Sequence, residues 1–137
     1  MKPSLEDREK LVHEATLART RAYAPYSRYQ VGAAILTEDG QIFSGGNVEN
    51  AVYPLGLCAE RVAIASAVSA GAHRVVALAV VTANGGTPCG ACRQVLREFA
   101  DTDTPVLIGT PDGDYHELRL EELLPESFSV TDLKEVQ

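Results

Sequence analysis

Apolar residues recur at helical spacing near the start of the chain, at Leu11, Ala15, Ala18 and Ala22. They predict a helix that stops near Pro25, because a proline drives the preceding residue out of the helical region. Two short runs follow, 31–36 and 41–45, joined through Glu38-Asp39-Gly40, and read as the two strands of a hairpin. The stretch 59–70 is apolar almost all round from Val62 to Val68, which predicts a buried helix. It leads to 74–82, where Val75-Val76-Ala77-Leu78-Ala79-Val80-Val81 lacks polar alternation and predicts a strand covered on both faces. Another helix, opening at Pro88-Cys89 and running to about Phe99, leads to a strand over 105–109. A helical crossover makes these last two strands parallel. Only 109–114 separates Val106-Leu107-Ile108 from Tyr115-His116-Glu117-Leu118, too little for a helical crossover, so the final strand pair is antiparallel. Beyond Phe128, 130–136 reads as a short surface helix.

The elements add up to an α/β protein: a three-layer α/β/α sandwich around a five-stranded mixed sheet. With 137 residues, 45% of them hydrophobic, and no low-complexity run, the chain is expected to form one domain over 1–137 with a sizeable core. No apolar stretch approaches twenty residues and 1–10 is charged, so neither a membrane span nor a secretion signal is expected. A net charge of −7 argues against a polynucleotide partner, since phosphate backbones are held mainly by Lys and Arg. An uncharged small molecule meets no such objection.

Chemistry concentrates in two short clusters, Cys58-Ala59-Glu60 and Pro88-Cys89-Gly90-Ala91-Cys92, and no fourth cysteine exists. A structural zinc is normally wrapped by four protein ligands, whereas a catalytic zinc keeps three and leaves one position for water. Three thiols with a carboxylate beside them therefore suggest a hydrolytic metal centre. Cys89 and Cys92 share a helix face, and Cys58 opens the preceding helix, so two positive helix ends would converge on the metal and favour thiolates. The C-x-x-C alone also fits a redox pair or buried small hydrophobes. Glu60 and Arg61 open an otherwise apolar helix, where charges need partners: a metal-bound water for Glu60 and thiolates for Arg61 would serve. A solvated residue at a helix end is the plainer reading of Arg61. His13, His73 and His116 are scattered through different contexts and are read as non-ligands.

The cysteine clusters match the C-x-E and P-C-x-x-C signature of zinc deaminases. Together with Tyr26-Ser27-Arg28-Tyr29-Gln30-Val31-Gly32-Ala33-Ala34, Asn47-Val48-Glu49-Asn50-Ala51, Cys92-Arg93-Gln94 and Glu122-Leu123-Leu124-Pro125, they make the chain resemble the small cytidine deaminases of pyrimidine salvage, over residues from about 22 to 128. The resemblance implies hydrolytic deamination of free cytidine and deoxycytidine to uridine and deoxyuridine plus ammonia. It implies one Zn2+ per subunit on Cys58, Cys89 and Cys92, with Glu60 as proton shuttle and Arg61 hydrogen-bonding the ligand sulfurs. Asn47 and Glu49 would hold the ribose 3′-hydroxyl, although locally they also read as a polar turn at a strand end. The Ala59 N–H would meet the pyrimidine O2. Tyr29 stands where the family usually has phenylalanine against the base, and its added hydroxyl needs a partner. Pro54-Leu55-Gly56-Leu57 falls where family members vary. The short last connection also favours free nucleosides, since relatives acting on nucleic acid typically carry a helix there. The resemblance further implies a cytoplasmic homotetramer, with Tyr53 and Phe128 reaching toward a neighbouring subunit's pocket; reduced thiols suit that compartment. Rival readings are a deaminase of another aminopyrimidine nucleoside, of the blasticidin type, and a non-catalytic zinc-stabilised binding module, in which Glu60 would be dispensable.

Overall fold

The computed structural model describes residues 2–135. Its first helix, α1 (Leu5–Arg19), begins at Ser4, whose side chain accepts the Asp7 N–H at 3.0 Å while its own N–H donates to the Asp7 carboxylate at 2.9 Å. This reciprocal pair satisfies two donors that a helix start otherwise leaves free. The helix ends earlier than the Ala22 periodicity predicts. Arg21 and Ala22 fold back as turns onto Ala18 and Arg19, and Tyr23 pairs with the segment around Val48, its N–H donating to Asn47 O at 2.8 Å. Pairing with a distant strand end has overridden local helical spacing.

A hairpin follows, β1 (Gly32–Thr37) and β2 (Ile42–Gly46), antiparallel with Ala34 opposite Ser44. Helix α2 (Ala59–Ser69) then leads to β3 (Val75–Val81), and α3 (Gly90–Phe99) leads to β4 (Pro105–Gly109). Strand β5 (Tyr115–Arg119) and the short helices α4 (Leu120–Leu123) and α5 (Val130–Lys134) complete the described chain. The expected C-terminal helix is present to Lys134; Val136 and the outer ends of the 1–137 span lie outside the described residues. The sheet runs β2-β1-β3-β4-β5, with β3 and β4 parallel and every other neighbouring pair antiparallel. This is the expected mixed five-stranded sheet with its antiparallel final pair.

Two cores follow from the period-2 alternation of strand side chains. Ala34, Leu36, Ala77, Ala79, Val81 and Leu107 turn to one face and meet Leu11, Val12 and Ala15 of α1. Ala33, Ile35, Leu78, Val80, Val106 and Ile108 turn to the other and meet Ala59, Ala63, Ile64 and Ala67 of α2 and Leu96 of α3. Helix α2 is less enclosed than its composition predicts: Ala65, Ser66 and Ser69 are exposed, because only one of its faces meets the sheet.

Close contact between α1 and β1 depends on Gly32. A Cβ there would stand 1.9 Å from Ala15 O and 2.5 Å from Arg19 N, both backbone atoms of a packed helix. Gly32→Ala is therefore expected to lower stability by roughly 3 kcal/mol, a typical overpacking cost. Urea unfolding at fixed metal concentration measures it; an unchanged midpoint would mean that α1 shifts at no cost.

Candidate functional site

Helices α2 and α3 both begin beside the carboxyl end of β3, the edge at which open α/β sheets tend to hold ligands. Cys58 is the N-cap of α2 and Cys89 the N-cap of α3, each in extended backbone, and neither caps its helix with its side chain. Their sulfurs are turned instead toward each other, 3.9 Å apart, and Cys92, in the first turn of α3, brings its sulfur to 3.4 Å from that of Cys89. All three sulfurs lie within 4.8 Å of one another, and among the described residues no fourth side chain joins them. Zinc–sulfur bonds of about 2.3 Å in tetrahedral geometry separate ligand sulfurs by about 3.8 Å. The cluster thus fits one Zn2+ with a position left open.

Protons within the cluster are unevenly held. Hydrogen bonds from Cys92 and Cys89, with Arg61 close by, bring the Cys58 thiol down to about 5. Donation to Cys58, together with burial, pushes the Cys92 thiol up. A divalent metal displaces such protons because its sulfur ligands must be thiolates. Arg61 reaches the Gly56 carbonyl at 3.3 Å and the Cys58 sulfur at 4.0 Å, while its Nε is buried without a partner. A cluster gaining negative charge would draw on this guanidinium, already within reach of the Cys58 sulfur.

Glu60, in the first turn of α2, is only 4% exposed and lines a cavity of about 420 Å³ next to Cys58 and Cys89. Burial, then the negative charge on Cys58, holds its carboxyl above the ordinary carboxylate range. Ala59 lines the same cavity, and as the first residue of α2 its N–H belongs to the set without intrahelical partners. The cavity is thus lined by cysteines of the sulfur cluster, a buried carboxyl and the start of a helix.

Asn47, Glu49 and Tyr29 also line this cavity. The Asn47 side chain accepts the Val31 N–H at 2.8 Å and donates to Tyr29 O at 3.0 Å, leaving one amide hydrogen free. Glu49 accepts from the Tyr26 and Ser27 N–H groups at 2.9 and 3.1 Å and from the Ser27 hydroxyl, which holds its carboxyl below the usual range. Both residues therefore brace the 26–31 segment that carries Tyr29, as well as facing the cavity. The Tyr29 hydroxyl finds its partner in Asn84 Oδ1 at 2.6 Å. Tyr53 sits in a 3₁₀ turn at the lip, 75% exposed, with its ring edge-on to Tyr26 at 6.0 Å. Phe128 is exposed and apart from this cavity; its carbonyl accepts from Gln94 Nε2 at 2.9 Å.

Thr82, Asn84 and Thr87 were not singled out by sequence, and Ser27 entered only as part of a matching run with no role of its own. Thr82 and Thr87 line the cavity, and all but Ser27 lie on the connection from β3 to Cys89. That position, directly after a strand flanked by helices, is the one signal that points to them.

Known proteins match both sequence and fold. The family described as the cytidine and deoxycytidylate deaminase zinc-binding region matches residues 5–108. A cytidine deaminase of Halalkalibacterium halodurans is 50% identical over 131 residues, covering 94% of this chain and 99% of the relative. One from Mycobacterium tuberculosis is 44% identical over 121 residues, 87% of each chain. The crystal structure of a cytidine deaminase from Burkholderia pseudomallei matches with a TM-score of 0.82 at 46% identity, covering 87% of this chain and 97% of that one.

Proposed function

The chain belongs to the cytidine and deoxycytidylate deaminase family, and from that premise we propose that it hydrolyses the 4-amino group of free cytidine and deoxycytidine, releasing ammonia. The observation that carries this reading is the spacing of three sulfurs for one tetrahedral metal beside the buried Glu60 carboxyl. Cys58, Cys89 and Cys92 hold the Zn2+, one per subunit. When bound, the metal supplies a Lewis acid that makes water nucleophilic near neutral pH.

The remaining work falls to this chain's own groups. Glu60 takes one proton from the attacking water and delivers it to N3 of the pyrimidine, where it stays in the product, then carries the second, from the new C4 hydroxyl, to the departing amine, which leaves as ammonia. Its burial raises the carboxyl above the usual carboxylate range, the direction that suits a group carrying a proton between these atoms. The Ala59 N–H donates to the pyrimidine O2. Arg61 offsets the charge of three thiolates, which outweighs that of a divalent metal. Asn47, through its spare amide hydrogen, and Glu49, through its unfilled acceptor positions, hold the ribose 3′-hydroxyl. Tyr29 packs against the base.

Assembly into a homotetramer is part of this proposal, with Tyr53 and Phe128 contributing to a neighbour's pocket. Support comes from exposed apolar side chains about the cavity mouth, among them Tyr26, Val48, Tyr53 and Leu57, a grouping that marks interaction surfaces. Among the described residues no helix is long and apolar enough to cross a membrane. The cytoplasm suits thiols kept for a metal, and an acidic chain suits a nucleoside better than a nucleic acid. A role in pyrimidine salvage follows from the free nucleosides as substrates.

Loss of absorbance at the cytosine band tests the reaction. Zinc-loaded protein is expected to turn over cytidine and deoxycytidine and to spare free cytosine, which offers Asn47 and Glu49 nothing to bind. Inactivity toward both nucleosides would overturn the proposal.

A further inference from the structure

Thr82, Asn84 and Gly86 form a short polar chain where the backbone leaves β3 for Cys89. Thr82 is buried, and its hydroxyl accepts the Gly86 N–H at 2.6 Å and donates to Asn84 Oδ1 at 3.3 Å. The same Oδ1 accepts the Tyr29 hydroxyl at 2.6 Å. Gly86 lies against that contact: a Cβ built there would stand 2.7 Å from the Tyr29 hydroxyl oxygen, too close for real atoms. Its φ is not in the left-handed region, so its backbone would accept alanine. What leaves no room for a side chain at position 86 is the tyrosine hydroxyl.

At its root the ring is held equally closely. The Tyr29 N–H donates to the Ser27 hydroxyl at 3.0 Å, its carbonyl accepts from Asn47 Nδ2 at 3.0 Å, and the preceding Arg28 adopts a left-handed backbone with φ of 59°. The one polar atom at the ring's tip meets Asn84.

We propose that Asn84 is a positioning residue for the nucleoside: its side-chain carbonyl pins the Tyr29 hydroxyl and fixes the ring as the wall against which the pyrimidine rests. This rests on the nucleoside reading above and adds to it a residue on the loop that carries the metal ligands. A wall fixed before binding removes the cost of ordering it at binding, so its loss is read in KM more than in kcat. Thr82 and Gly86 hold the carbonyl in place, and Gly86 leaves room for the hydroxyl.

Steady-state kinetics of zinc-loaded variants with cytidine tests it. Asn84→Ala is expected to raise KM by about three- to tenfold, the effect of one lost hydrogen bond, with a smaller change in kcat. Asn84→Asp, which keeps the acceptor, stays within about twofold of wild type. Gly86→Ala raises KM in the wild-type background but adds nothing to Tyr29→Phe, whose ring lacks the oxygen that the new methyl would strike. Crystal structures should show the ring displaced in Gly86→Ala and in place in the Gly86→Ala/Tyr29→Phe double variant. An equal Gly86→Ala effect in both backgrounds, or a wild-type KM for Asn84→Ala, would overturn the proposal. Should zinc-loaded wild type turn over no nucleoside, the substrate reading falls; the crystal structures then decide alone, and an unmoved ring in Gly86→Ala sinks the contact itself.

Discussion

Glu60→Gln is expected to lower kcat for cytidine by roughly a thousandfold, within the range that general acid–base groups contribute. The amide matches the carboxyl in size, so it can occupy the same buried position in the first turn of α2 without repacking Ala59 or Ala63. It cannot accept and return a proton. Because the metal is held by sulfur, zinc content should remain near one per chain, and elemental analysis beside the kinetics separates lost proton transfer from lost metal. A kcat within tenfold of wild type, with zinc retained, would remove Glu60 from the reaction and leave the proton transfer to another group.

Cys89→Ala is expected to have the other large effect, on metal content, activity and thermal stability together. Its sulfur lies 3.9 Å from that of Cys58 and 3.4 Å from that of Cys92, so its removal leaves a pair in place of a three-point seat. Since Cys89 is exposed, the substitution opens no cavity in the core, and a fall in Tm reports the metal rather than packing. A ligand present at a thousand times its Kd stabilises the folded state by about 4 kcal/mol, and the variant should lose an effect of that order. Chelation of the wild type should reproduce the losses, and added Zn2+ should restore the wild type alone. A variant that still binds zinc stoichiometrically and retains its Tm would show that Cys89 is not a ligand.

The metal seat was legible in the sequence because chemistry restricts it to few residue types at fixed short spacings: Cys58 with Glu60, and Cys89 with Cys92. Strand β3 was legible for a different reason, since burial on both faces leaves an unbroken apolar run from Val75 to Val81. Contacts between distant segments were not. Nothing near Ala22 says that Tyr23 will pair with Val48, or that Asn47 and Glu49 will brace the 26–31 segment. Helix α2 was read as buried because composition reports how apolar a segment is, not how many faces its neighbours cover. Asn84 escaped notice because an Asn-Gly-Gly stretch reads as an ordinary turn, and its partner Tyr29 lies 55 positions away.

The sulfur cluster spans a folding boundary. Cys58 and Cys89 are 31 positions apart, and between them lie the whole of α2 and the strand that must insert between β1 and β4. Closing so long a loop costs entropy that only the finished sheet repays. During synthesis the first thiol emerges well before its partners, so a nascent chain cannot gather the donors until β3 has paired. Tight metal loading is therefore expected to follow closure of the sheet, so that a folding chain gains its zinc and its hydrolytic power together.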